Sequence, residues 1–257
     1  MSRERPNVRV FVEQTLGQQL GIAVGAAQAH YLTRVMRLQS GDRIRLFNGR
    51  DGEWLAQITG VSRSWCELVV GSMLRAQHAE PGPVLAFAPI KKDPMHILVE
   101  KATELGVERL LPLATRNIVV QHINLDRMQA HVIEAAEQCG RLTIPHVDAP
   151  KPLDAFLAEW PNSRPLLFMD ERASGRLIAE AIAACATPSL GLPLPPGILV
   201  GPEGGFTEAE AAALRALAFV MPVSLGPRIL RAETAALAAL ACWQAFAGDW
   251  RPSKPSG

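Results

Sequence analysis

Up to about residue 74, hydrophobic and polar side chains alternate in short runs. In "DRIRLFNG" Ile44 and Leu46 alternate with Arg43 and Arg45 before a turn at Asn48-Gly49, the period of a strand with one buried face. "EWLAQITGV" and "SWCELVVG" read as further short strands, and "AAQAHYLTRVMRL" is a helical insert ahead of them. Short strands at this spacing predict a small β-barrel over residues 1–74. The polar, Pro/Gly-bearing stretch "RAQHAEPGP" follows, which makes 75–83 a linker.

From Val84 the period changes. "VLAFAPI" is an unbroken apolar run of the kind buried on both faces of a sheet. Asp93-Pro94 offers an N-cap and a first-turn proline, and Gly106 a stop. Between them Met95, Leu98, Val99, Ala102 and Leu105 share one helical face. "ERLLPLAT" reads as a strand, and a helix from about Leu125 to Cys139 turns Met128, Val132, Ala135, Ala136 and Cys139 inward. "PLLFMD", "GILV" and "VMPVSL" are later strands, with a proline-rich connection at 187–197. Such alternation predicts an α/β domain over 84–257 with a largely parallel sheet, whose ligands bind at the carboxyl ends of strands.

Composition narrows the class. Hydrophobic residues make up 48% of the 257-residue chain and charged ones 20%, which excludes a disordered polymer. No apolar run approaches the roughly 20 residues of a membrane helix, and "MSRERPNVRVF" lacks the apolar core of a signal peptide. The four cysteines are scattered, so reduced, buried thiols in a cytoplasmic protein are expected. His122, His131 and His146 also lack metal-ligand spacing, and no metal is expected. The net charge of +1 hides an asymmetry: all ten basic residues among the first 75 are arginines, against six carboxylates. Arginine's planar donors suit phosphate, so this half is either an RNA-binding surface or a solvated, mildly basic domain.

The chemistry is concentrated in two glycine turns. In "ILVGPEGGFTEAE", Ile198-Leu199-Val200 is a strand, Gly201 to Phe206 a turn, and Thr207 with Glu210 a capping box that starts a helix. Neither the lysine-bearing phosphate loop nor the dinucleotide fingerprint is present. Exposed backbone groups beside Glu203, with no cation in the turn, suit a neutral hydrogen-bonding ligand such as adenine or ribose, or no ligand at all. "VSLGPRILRAETAALAAL" repeats the layout, with a turn at Gly226-Pro227 and an Ala-rich helix behind it. Two such turns at adjacent strand ends would form two walls of one pocket.

These two stretches resemble the C-terminal signature loops of the RsmE family, the 16S ribosomal RNA uracil-N3 methyltransferases of the SPOUT superfamily. "HYLTRVMRLQSGDRIRLFNG", "KKDPMHILVEKATELGVERLLPLATRN" and "IEAAEQCGRLTIPHV" resemble its earlier segments, with Cys139 where the family usually has serine. The resemblance implies a PUA-like β-barrel for RNA and then a SPOUT α/β methyltransferase domain with a C-terminal trefoil knot. It also implies a homodimer, 16S rRNA of the small subunit as substrate, and S-adenosylmethionine bound in the knot loops. The cofactor residues would be Met169, Leu199, Val200, Gly201, Pro202, Glu203 and Gly204, then Leu225, Gly226, Ile229, Leu230, Arg231, Glu233, Thr234 and Ala235. Arg116, Gln138 and Arg141 match the family's "RN" and "EQ-x-x-R" positions and would serve catalysis at the target nucleotide. Gly140 should end its helix and leave Arg141 projecting from a loop, with Glu137 and Glu233 as candidate bases. Arg9, Arg34 and Arg37 are the expected RNA contacts. A ribose 2′-hydroxyl as acceptor, and a bare RNA-binding module, are the alternatives.

Overall fold

The computed structural model describes residues 4–62, 64–118, 120, 123–170, 172, 175–185 and 195–251, the first four of them by backbone alone. His122 and most of the proline-rich connection lie outside this set. The chain divides into two units, 1–80 together with 136–144, and 81–135 together with 145–257. The cut falls inside the expected linker, but a nine-residue piece from the middle of the chain joins the first unit. A linear reading of domain boundaries has no means of anticipating that.

The first unit is a five-stranded sheet of β1 (Glu4–Phe11), β2 (Gly21–Val24), β3 (Arg43–Phe47), β4 (Glu53–Val61) and β5 (Cys66–Arg75). Their order is β1-β3-β4-β5-β2, with β1 parallel to β3 and the other pairs antiparallel. Period-two alternation sends one face of every strand into a single core, from Val10 and Ile22 to Leu46, Ile58 and Leu68. The helical insert is α1 (Ala26–His30) continued by a π-helical turn, Tyr31–Val35. Ala29 and Leu32 anchor it in the core, and it ends at Arg37, whose φ of 55° is left-handed. That conformation costs a non-glycine residue roughly 1–2 kcal/mol.

The second unit carries a parallel sheet. Its strands are β6 (Val84–Phe87), β7 (Arg109–Ala114), β8 (His146–Val147), β9 (Lys151–Pro152), β10 (Leu166–Met169), β11 (Arg176–Leu177), β12 (Gly197–Val200) and β13 (Val220–Ser224). The order is β11-β13-β10-β12-β6-β7-β8, with β9 beside β7. Helices α2 (Lys92–Glu104), α3 (Leu125–Cys139), α4 (Leu153–Glu159), α5 (Ile178–Cys185), α6 (Glu208–Arg215) and α7 (Ala232–Phe246) connect them. One face of the sheet packs Ala86, Phe168 and Leu199 against α4 and α6 through Phe156, Trp160 and Leu214. Helix α7 packs against α2, α5 and β12. The N-cap of α2 is Lys91 rather than Asp93, so the helix starts two residues earlier than the proline suggests.

Two sequence-based placements need correction. Cys139 is exposed, not inward: by period it continues the stripe of Val132, Ala135 and Ala136, but it is the last residue of α3, where the cover over that stripe ends. The two glycine turns follow β12 and β13, which are not adjacent: β10 lies between them.

Candidate cofactor site

Because β10 separates the two turns, its own loop supplies a third wall. Together the three strand ends enclose a cavity of about 500 Å³, within the range of small-molecule sites. From β10 come Phe168, Met169, Asp170 and Arg172; from the first turn Val200, Gly201, Pro202, Glu203, Gly205 and Phe206; from the second Leu225, Gly226, Arg228, Ile229, Leu230 and Arg231. Glu233 and Ala235 of α7 and Lys91 at the start of α2 complete the wall.

Of the expected cofactor residues, Met169, Val200, Gly201, Pro202, Glu203, Leu225, Gly226, Ile229, Leu230, Arg231, Glu233 and Ala235 line this cavity. Leu199, Gly204 and Thr234 do not. Leu199 points into the core by strand alternation. Thr234 is exposed one position round the helix from the lining pair. Gly204 faces Asn117, whose side-chain amide donates to the carbonyls of Gly204 (3.3 Å) and Gly205 (3.0 Å).

Local chemistry explains why the first turn holds its shape. Thr207 Oγ1 accepts from Glu210 N, and the Glu210 carboxylate accepts in return from Thr207 N at 2.9 Å. The other Glu210 oxygen accepts from Arg116 N at 2.9 Å. Burial would raise the Glu210 pKa, but the hydrogen bonds from Arg116 and Thr207 outweigh it and hold it below the usual value. The "RN" pair thus clamps the glycine turn through the Arg116 amide and the Asn117 side chain, and the Arg116 side chain is exposed.

Four of the charged residues on the wall are paired. Asp170, nearly buried, accepts from Arg215 Nη2 (2.5 Å) and Nε (3.1 Å). Arg172 pairs with Glu208 and donates to Phe206 O at 3.2 Å, tying the β10 loop to the first turn. Lys91 lies 3.8 Å from Glu203. Glu233 has no ion pair among the described residues. The resulting lining joins aromatic and aliphatic side chains with open backbone, the carboxylates Asp170, Glu203 and Glu233, and cations at Lys91, Arg172, Arg228 and Arg231. It suits an uncharged nucleoside joined to a cationic centre, and the groups present fit S-adenosylmethionine.

Comparison with known proteins decides the family. Residues 80–244 match the family described as RNA methyltransferase domain, and residues 24–70 the RNA methyltransferase PUA domain. A ribosomal RNA small subunit methyltransferase E of Rickettsia conorii is 33% identical over 234 residues, covering 91% of this chain and 93% of that protein. The chain belongs to the ribosomal RNA small subunit methyltransferase E family. Its Synechocystis relative of the same name is 35% identical over 223 residues, 86% of this chain and 71% of the other. Among solved structures, a Legionella pneumophila methyltransferase in complex with SAM superimposes with a TM-score of 0.81 at 29% identity, covering 93% and 97% of the two chains. A methyltransferase E from Neisseria gonorrhoeae bound to S-adenosylmethionine gives 0.80 at 26% identity, covering 95% and 99%.

The remaining expected site residues divide in two. In this methyltransferase E fold Arg34 and Arg37 are exposed and form no ion pair with a described residue. Arg9, expected at RNA phosphate, is buried: its Nε lies 2.5 Å from Glu53 and its Nη atoms donate to main-chain carbonyls. Four of the five guanidinium N–H donors are engaged inside the fold and the residue is buried, which takes it out of reach of phosphate. Gly140, with φ of +85°, ends α3 as expected, and Gln138 is exposed. Arg141 does not project freely. Its side chain is 9% exposed, 3.8 Å from Glu80, and donates to Thr143 Oγ1 at 2.9 Å. The Glu137 carboxylate accepts from Phe11 N at 2.9 Å, a structural use that argues against it as a base. Among the described residues no group of three or more metal-ligating side chains occurs, and no helix is long and apolar enough to cross a membrane. Lys91, Phe168, Asp170, Arg172 and Phe206 escaped the sequence reading. For Phe206 the signal was present, as an aromatic residue directly after the glycines.

Proposed function

We propose that the chain transfers a methyl group from S-adenosylmethionine to N3 of a uracil in 16S rRNA, acting on the small ribosomal subunit in the cytoplasm. The observation that carries this reading is the cavity built from three strand-end loops, with apolar side chains, open backbone and charged groups of both signs, in a chain of this family. When bound, the cofactor supplies an electrophilic methyl on a sulfonium centre. Everything else falls to the chain. The loops hold the donor and exclude water from its reactive face. Uracil N3 must lose its proton, which leaves negative charge on O2 and O4, so cations or donors beside those oxygens lower the barrier. Arg116, on a main chain fixed by Glu210, and exposed Gln138 fill that role, and Arg141 joins them by exchanging its contacts with Glu80 and Thr143 for the nucleotide. Glu233 on the cavity wall, with no ion pair among the described residues, is the acceptor for the proton. Arg34 and Arg37 supply phosphate contacts.

A homodimer with knotted subunits completes the proposal. Ile97, Phe246 and Trp250 are large exposed apolar side chains in the unit that carries the cavity, which supports a second copy covering them. The deciding experiment compares small-subunit rRNA from a deletion strain with rRNA methylated by the purified protein. Loss of one N3-methyluridine and its restoration are expected. A methyl mapped to a ribose 2′-oxygen would replace uracil N3 as the acceptor. A monomer mass by light scattering for active protein would remove the dimer.

A further inference from the structure

Two arginines of the β-barrel unit converge on one helix end. The last carbonyls of any α-helix lack intrahelical partners and carry partial negative charge. At the end of α3, Arg9 Nη1 donates to Ala136 O (2.6 Å) and Glu137 O (3.2 Å), and Arg9 Nη2 to Arg141 O (3.0 Å). Arg75 Nη2 donates to Gly140 O at 2.7 Å. Both guanidinium groups are gripped by one carboxylate, fully buried Glu53, through Arg9 Nε at 2.5 Å and Arg75 Nε at 2.9 Å. The Phe47 ring lies 4.1 Å from Arg9 Cζ, a cation–π seat that further fixes the plane. From the other side, Glu80 accepts from the amides of Leu142 (3.3 Å) and Thr143 (2.9 Å).

A helix that already stops at a left-handed glycine needs little of this for termination. The clamped carbonyls flank Gln138 on both sides, and the Gln138 side chain is exposed. We propose that Arg9, Glu53 and Arg75 are positioning residues for methyl transfer: they fix the main chain of 136–141 so that Gln138 and Arg141 meet the target nucleotide in one geometry. This rests on the reading of Gln138 and Arg141 as acceptor-side residues. The barrel unit then contributes to the rate as well as to RNA affinity. The requirement is for two-pronged donors, because each arginine bridges a carboxylate and a carbonyl at once, and a lysine ammonium cannot keep both in that plane.

Lysine substitutions therefore separate positioning from phosphate attraction, since they retain the charge. Arg75→Lys, at a half-exposed side chain, and Arg9→Lys are compared with wild type in single-turnover methylation of small subunits lacking the modification. Both should stay folded by circular dichroism and bind S-adenosylmethionine with unchanged affinity by calorimetry. The rate at saturating subunits should fall about 10- to 100-fold, with KM for subunits and the salt dependence of binding unchanged. Combining Arg75→Lys with Gln138→Ala should add little to the loss of Gln138→Ala alone, as expected of residues acting through one another. A wild-type saturating rate in both lysine variants overturns the proposal, as does a loss confined to KM and the salt slope. If Gln138→Ala and Arg141→Ala themselves react at the wild-type rate, the acceptor-side reading fails and the positioning role falls with it. If those two are slow while the lysine variants are not, only the positioning role fails.

Discussion

Gly201→Ala tests the cavity wall with a single methyl group. A Cβ built on Gly201 stands 2.7 Å from Cε2 and 2.9 Å from Cδ2 of Phe206. Carbon atoms in good contact lie about 3.5–4.0 Å apart, so the ring must withdraw by about 1 Å. Phe206 is buried and meets Phe168 edge-on, with centroids 5.3 Å apart at 81°. Behind it lies the packed core, and before it the cavity. In the free protein the ring therefore swings into the cavity at little cost, and the cofactor must push it back to enter. Overpacking of this size costs about 1–3 kcal/mol, which at about 1.4 kcal/mol per tenfold is a loss of roughly 5- to 150-fold in affinity. Gly204→Ala is the matched control, because its Cβ would meet only Asn117, at an ordinary 3.5 Å. Titration calorimetry with S-adenosylmethionine reads the affinities, and thermal melts without cofactor read the fold. The reasoning is refuted if Gly201→Ala binds as wild type does while melting lower, since the ring would then have retreated from the cavity.

Acid should unfold the barrel unit early. Burial would raise the Glu53 pKa, but hydrogen bonds and charges from Arg75 and Arg9 hold it below its ordinary 4.5; its stabilisation is therefore full above that value and lost as pH falls through the lower, folded one. The melting temperature should hold steady from pH 7 to 5 and drop below about 4.5, and Glu53→Gln should cost about 3–5 kcal/mol at pH 7 by urea denaturation because it strands Arg9. A cost under about 1 kcal/mol would show that the arginines find other partners. Thiol labelling of the native protein should start at exposed Cys139, while burial pushes the Cys185 thiol up to about 11 and protects it; a fast phase that survives Cys139→Ser would contradict this. Replacing Arg34 and Arg37 by alanine should flatten the salt dependence of RNA binding by about one to two contacts, and an unchanged slope would leave them as solvated surface.

Much of the second unit was legible because its signals are local. Four-residue apolar runs bounded by glycine or proline became β6, β10 and β12, and the Thr207–Glu210 capping box was readable from two residue types at fixed spacing. What the sequence withheld was lateral order. Turns after β12 and β13 look like neighbours along the chain, yet β10 pairs with both. Strand order depends on how distant faces pack, and no window of sequence contains it. The consequence was chemical: Asp170 and Arg172 form a wall that neither glycine turn could announce.

Arg9 shows the same limit from the side of charge. By composition it is one of ten arginines in a basic segment, indistinguishable from Arg34 or Arg37. Its fate is set by Glu53, 44 residues away, and by the Ala136 carbonyl, 127 residues away. Arg34 has a helical turn beneath it and solvent above, so it keeps its charge for a partner. Arg9 sits on β1 between Val8 and Val10, where a carboxylate and a helix end must accept it or the strand could not be buried. Counting cations therefore measures what a surface can attract only after the buried ones are removed. In this chain the removal leaves fewer exposed cations than composition suggests, and it turns Arg9 and Arg75 toward the main-chain carbonyls on either side of Gln138.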